Sequence, residues 1–195
     1  MKLVLPGHLF FIESIEIPAA LEAAEIAEFA ELSLESIAPF PIDQLNWGYL
    51  YEPQATHLLL YATHRDRLKS CGYHDLHAYT WVIPDFATLA GACFPEDTQV
   101  VLHGSGNLTL LQFEKGSSIP HAVSAAPVSA DNSAAVLAAL RAALPQPQAS
   151  SKTLQIYPAR VKLNELGKPT FEFAATENAS DAHAYGSWQS LSPTE

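Results

Sequence analysis

The densest run of side chains able to do chemistry is Cys71-Gly72-Tyr73-His74-Asp75-Leu76-His77, with His64 a short distance upstream. A thiolate, two imidazoles and a carboxylate are all zinc ligands, and His74 and His77 could face one way on a helical turn. Zinc sites more often draw ligands in pairs spaced Cys-x2-Cys or His-x3-5-His, and this run follows a glycine and leads into a strand. It reads first as a polar helix-to-strand connection, with a metal site as the alternative. Gly104-Ser105-Gly106-Asn107 is the second candidate, because glycines let backbone N–H groups approach a phosphate. It matches neither Gly-x-Gly-x-x-Gly nor a Walker A loop. It also lies between two strand-like runs, so no helix N-terminus points into it. A hairpin turn is the plainer reading.

Nucleophilic catalysis would need a serine or cysteine at a recognisable elbow, and Gly-x-Ser-x-Gly is absent. Asn107-Leu108-Thr109 and Asn178-Ala179-Ser180 match the glycosylation sequon, a short pattern expected by chance. The strongest charge pattern is of another kind. Glu22, Glu25, Glu28, Glu31 and Glu35 recur every three or four residues, and no lysine stands between Lys2 and Lys69 to relieve them. A solvated helix face is the bland interpretation. A docking face for a basic partner is the functional one, with Glu25, Glu28, Glu31 and Glu35 as its candidate residues.

The elements that must position these groups follow from hydrophobic periodicity. Residues 9–17 read as a strand. Pro18 then suits a helix start, and Ala19, Ala23, Ile26, Ala30, Leu34 and Ile37 give one apolar stripe over 19–37, stopped by Pro39-Phe40-Pro41. Runs 46–51 and 56–63 predict a hairpin joined by Glu52-Pro53-Gln54-Ala55. A short polar helix over 64–71 precedes a strand at 79–83, a helix over 84–93 with Pro84 at its start, and strands at 99–103 and 108–113. A strand near 121–125 leads to a helix capped by Asp131 or Asn132 and carrying Val136, Leu137 and Leu140. Residues 144–151 form a Pro/Gln/Ser linker. Beyond it, 153–157, 160–164 and 170–174 read as strands with a turn at 165–168, and 179–195 is a polar tail. Hairpins and crossovers together predict an α/β fold with a mixed sheet and flanking helices.

Composition bounds the function. With 195 residues, 48% of them hydrophobic and 16% charged, the chain is globular and can bury roughly 70% of its unfolded surface. The net charge of −11 is uneven: residues 1–52 hold nine acids and only Lys2. That quarter repels phosphate backbones and anionic lipid, so neither nucleic acid nor membrane contact is expected of this fragment. Two cysteines are no disulfide framework and fit a reducing compartment. No signal peptide is evident at the start and no stretch of ~18 apolar residues spans a membrane.

Two stretches together carry a resemblance. The first is the helix 19–37 with Ala38-Pro39-Phe40-Pro41-Ile42-Asp43-Gln44-Leu45-Asn46-Trp47-Gly48-Tyr49 and the hairpin after it. The second is Trp81-Val82-Ile83-Pro84-Asp85-Phe86-Ala87-Thr88-Leu89 with residues 100–113 and Glu114-Lys115-Gly116. This succession resembles the actin-like (ribonuclease H-like) cytoplasmic domain shared by the type II secretion L protein and the type IV pilus M protein, over about residues 9–143. Nucleotide-holding members of the wider superfamily carry Asp-x-Gly on the first strand and a similar motif at a second phosphate loop. Here the counterparts read Leu3-Val4-Leu5-Pro6-Gly7-His8 and His103-Gly104-Ser105-Gly106-Asn107, without those carboxylates. The resemblance implies an actin-like domain at 1–143, a linker at 144–151, a β-rich segment at 152–178 packing on the domain, and the polar tail. It implies a non-catalytic cytoplasmic scaffold without cofactor, binding secretion or pilus platform proteins, with a homodimer as a further option. It also implies that the chain continues past Glu195 into an inner-membrane anchor. The competing class is an enzyme: a degenerate nucleotide-dependent phosphotransferase, or a zinc enzyme using His74 and His77.

Overall fold

A computed structural model describes residues 2–53, 55–104, 106–129, 131–145, 152–163 and 169–174. The linker positions 146–151, the turn 165–168 and the tail 179–195 lie outside the described residues, as do Ser105 and the sequon at 178–180.

The fold is mixed α/β. Ten strands make three sheets: β1 (Lys2–Leu5) beside β5 (Trp81–Pro84); β2 (Phe11–Glu16), β4 (His57–His64) and β3 (Leu45–Leu50) in the order β2-β4-β3; and a five-stranded sheet. That last sheet runs β10 (Pro169–Ala174), β9 (Lys152–Leu163), β6 (Thr98–Gly104), β7 (Asn107–Phe113), β8 (Ala122–Pro127). The β1–β5 and β6–β9 pairs are parallel and the others antiparallel. The expected mixed sheet is the five-stranded one; the two-stranded sheet is parallel and the three-stranded sheet antiparallel. β1 was not anticipated from sequence. It is four residues long, ended by Pro6, and too short to show a period.

Both faces of β4 are buried, and its alternation sorts the core. Leu58, Leu60 and Ala62 pack under the long helix with Leu45, while Leu59 and Tyr61 join Phe86, Val100, Leu111 and Phe113 in a second cluster. The five-stranded sheet repeats the pattern: Val101, Leu108 and Leu110 turn to Leu140 of α3 (Ser133–Ala143).

Three expectations are corrected. The long helix, α1, spans Ile26–Ile37 and does not start at 19. Its entry is fixed by a capping box: the Glu22 side chain takes a backbone N–H of the turn Ala23–Glu25, and Glu22 N–H donates to Glu25 Oε2 at 2.9 Å. Ala19 and Ala23 are exposed, and the buried stripe is Ile26, Ala30 and Leu34. The helix expected over 84–93 is a 3-10 segment, Asp85–Leu89, bounded by Gly91 at φ 89°. Finally, 153–157 and 160–163 belong to one strand, and Asn164 lies outside the described residues. β9 pairs with β6 through 152–156 and with β10 through 157–163, so a change of partner replaces the expected break. The 64–71 helix is α2, Arg65–Ser70, and Asn132 is the N-cap of α3, though its Oδ1 accepts from Ser129 N–H instead of capping.

Candidate functional site

The two turns aligned above with phosphate loops face one another. After β1, Pro6 turns the chain into the 3-10 segment Gly7–Leu9; after β6, the hairpin to β7 turns at Gly106, whose φ of 70° favours glycine. They meet at His8 and Asn107, 99 residues apart in sequence. His8 N–H reaches Asn107 Oδ1 at 3.4 Å, and His8 Nδ1 lies 2.7 Å from the same oxygen. A backbone N–H can only donate, so Oδ1 faces His8, and Nδ1 must carry the proton it shares.

The amide's other end points inward. Asn107 Nδ2 donates to Asp85 Oδ2 at 2.5 Å and to Thr109 Oγ1 at 2.9 Å. The Thr109 hydroxyl lies 3.2 and 3.3 Å from the two Asp85 oxygens, and the Gly7 and Phe86 N–H groups also donate to the carboxylate. Asn107 and Thr109 are 1% and 0% exposed. The fit leaves no room for a side chain at Gly7: a Cβ there would stand 2.7 Å from Asp85 Oδ1 and 2.9 Å from Thr109 Oγ1. Burial pushes the Asp85 carboxyl up to about 6, against the lowering effect of the N–H and hydroxyl donors and of His8.

Sequence reasoning found the two turns but missed Asp85, Thr109 and the role of His8. One signal was available: Asp85 follows the apolar strand Trp-Val-Ile-Pro directly, where a carboxylate must be either paired or strained. Chemically, the arrangement is a carboxylate whose acceptor sites are taken by donors of its own chain.

The histidine–cysteine run is dispersed. His64 is the N-cap of α2, its Nδ1 accepting from Asp66 N–H at 3.1 Å, and its Nε2 lies 3.2 Å from Gln44 Oε1. Cys71, His74, Asp75 and His77 are exposed. Among the described residues no three His, Cys, Asp or Glu side chains converge in a metal-binding group.

The acidic series divides in two. Glu22 and Glu25 spend their carboxylates on the capping box. Glu28, Glu31 and Glu35 stand on the exposed face of α1 and make no side-chain hydrogen bond or ion pair with a described residue. On the same face, one turn from Glu28, Leu32 is 58% exposed. Glu52, counted with the N-terminal acids, is structural: it accepts from Ser117 Oγ at 3.0 Å and Ser118 N–H at 2.9 Å, tying the hairpin end to the turn before β8.

No family model matches the chain, and no curated protein matches it. Among solved structures it is similar to the cytoplasmic domain of EpsL, an inner membrane component of the type II secretion system of Vibrio cholerae. The identity is 16% and the TM-score 0.48, over 81% of this chain and 62% of that one. It is also similar to the PilM–PilN type IV pilus biogenesis complex, at 18% identity and TM-score 0.44 over 67% and 43%. A third match is a Bacteroides thetaiotaomicron protein with actin-like ATPase fold and unknown function, at 8% and 0.43 over 79% and 58%. The chain thus spans less than two thirds of each of these structures. The first two come from the same two kinds of assembly as the family that the sequence motifs resemble.

Proposed function

We propose that the chain is a non-catalytic, cytoplasmic scaffold domain of an inner-membrane secretion or pilus-assembly platform, docking protein partners through the face of α1. The observation that carries this reading is the triad Glu28, Glu31 and Glu35, unpaired among the described residues, around the exposed Leu32. Like charges at helical spacing cost a few tenths of a kcal/mol per pair, and a basic partner surface offsets that cost. Glu25 borders the same face, with its carboxylate held locally. An exposed leucine among carboxylates suits a partner segment that is basic and carries an apolar anchor. The resemblance of residues 38–49 and 81–89 to the secretion and pilus domains supplies the setting.

The non-catalytic part rests on the paired turns. Neither turn brings an Asp-x-Gly carboxylate, and Asp85, the carboxylate between them among the described residues, is engaged by four donors of its own chain. The phosphotransferase alternative needs that space and those lone pairs for Mg²⁺ and phosphate. A thermal-shift screen with Mg-ATP and with Zn²⁺ separates the classes, because a ligand that binds the folded state raises the midpoint. The scaffold reading expects no shift with either.

A further inference from the structure

We propose that His57 and His121 form an acid-sensitive seam between the three-stranded and the five-stranded sheet, closed while both rings are neutral and loosened when either takes a proton. His57 opens β4 and His121 stands directly before β8, so each ring sits at the end of a strand of a different sheet. The rings meet edge to face, with centroids 6.4 Å apart and planes at 89°. His57 Nε2 and His121 Nδ1 are both buried, and neither has a hydrogen-bond partner among the described residues. Buried polar atoms without a partner are rare, and two of the three among the described residues belong to this one ring pair.

The direction follows from the valence of the ring. A neutral imidazole can leave one nitrogen bare, with an unfilled lone pair. An imidazolium carries a proton on both nitrogens, so the buried one becomes a charged N–H donor that faces no acceptor. A desolvated charge without a partner costs more than an unfilled lone pair, and a second charge on the neighbouring ring would add repulsion. The acids around the pair do not fill the gap. Glu16 lies opposite His57 in the β2–β4 register, and Glu114 and Asp97 act on His121 through space, but none hydrogen-bonds either buried nitrogen. Asp97 Oδ1 already takes the Lys115 N–H at 2.8 Å, and Glu52 is held by Ser117 and Ser118. Protonation is relieved by letting water reach the nitrogen, which requires the ends of β4 and β8 to separate. The titration of His121 has the same sign: burial pushes its imidazole below the ordinary value and His57 adds to this, against the pull of Glu114 and Asp97. The closed seam thus binds a proton more weakly than the open one, so its contribution is present above about pH 6.5 and is lost as pH falls.

The test is residue-resolved hydrogen exchange on the whole chain, corrected for the intrinsic pH dependence. The reporters are the His121 N–H, bonded to Gln112 O at 2.9 Å, and the Ile17 N–H, bonded to Thr56 O at 2.8 Å. From about pH 7.5 to pH 5.5 their protection should fall about threefold or more, while protection at Val101 in β6 does not fall. Asp85 titrates in the same range, but its raised value favours the folded chain in acid and cannot produce a fall. The response should shrink in His57→Phe and in His121→Phe, which keep an aromatic ring, and vanish in the double variant. Should those variants not fold, the ring 13C titration of the wild type decides, with a His121 midpoint below the ordinary 6.5. Flat protection at both reporters, an equal fall at Val101, a response that persists in the double variant, or a His121 midpoint at or above 6.5 would each overturn the seam. So would a response that a chelator removes, since it would put a metal ion on the two nitrogens.

Discussion

Asn107 Nδ2 and Asp85 Oδ2 meet at 2.5 Å, joining the start of β7 to the residue that follows β5. The β6–β7 hairpin carries an amide here, and neither it nor the turn after β1 carries an Asp-x-Gly motif. A carboxylate there would stand against Asp85, and the two anions would need a metal ion between them. The amide donates instead, and the two side chains satisfy one another without a third party.

The burial of Asp85 has a consequence for stability. Its folded-state titration point is raised to about 6 from the ordinary 3.8, so the folded chain holds a proton that the unfolded chain has lost between those values. The contribution is fully present below about pH 4 and is lost as pH rises through 6, amounting to roughly 3 kcal/mol in total. Denaturant unfolding at about pH 7.5 and pH 5 should give a wild-type stability change more acid-favoured than that of Asp85→Asn by about 1.4 kcal/mol. The same pH profile in both proteins contradicts the assignment.

The helix offers a contrast of faces. Ile26 is 3% exposed, whereas Glu28 lies exposed on another face of α1. Ile26→Asp should unfold the domain, since an unpaired buried carboxylate costs several kcal/mol of a typical ~5–15. Glu28→Lys should move the unfolding free energy by less than about 0.5 kcal/mol. Circular dichroism against denaturant checks both.

How much of this was legible depends on what each residue's neighbours in sequence determine. The apolar runs behind β4, β6 and β7 and the 3.6-residue stripe Ile26, Ala30, Leu34 are local patterns, and they placed the core elements well. The helix start was misplaced because Pro18 and a carboxylate capping box compete as start signals, and the box at Glu22 and Glu25 lies four residues further on. The segment after Pro84 read as a helix from its composition, but tertiary contacts of Asp85 and the turn at Gly91 limit it to a 3-10 segment. The site itself was half visible. Gly7 and Gly106 mark turns in any reading, whereas the partnership of His8, Asp85 and Asn107 spans up to 99 residues and no local pattern announces it.

Nucleotide binding gives a sharp test of the non-catalytic reading. With Asp85 engaged and neither turn offering a free carboxylate, titration calorimetry should show no saturable Mg-ATP binding at millimolar concentration. A micromolar dissociation constant would promote the phosphotransferase alternative.

For the exposed histidines, His74→Ala should leave both metal content and stability unchanged, because His74 and His77 lie on the surface without a third ligand among the described residues. Elemental analysis of protein purified without added metal is the check. Stoichiometric zinc that disappears in the variant reverses the assignment.

The central claim is that the acidic face of α1 receives a basic partner. Its most direct test is the association rate constant between this domain and a lysine-rich peptide carrying one apolar anchor, measured by stopped flow at low ionic strength. The variant is Glu28→Gln, Glu31→Gln and Glu35→Gln together, with Glu25 retained because its carboxylate closes the capping box. Electrostatic steering predicts that the triple variant associates about tenfold or more slowly and loses most of its salt dependence, while the isolated domain becomes slightly more stable. An unchanged rate with an unchanged salt slope would mean that the face is solvated surface and that docking occurs elsewhere.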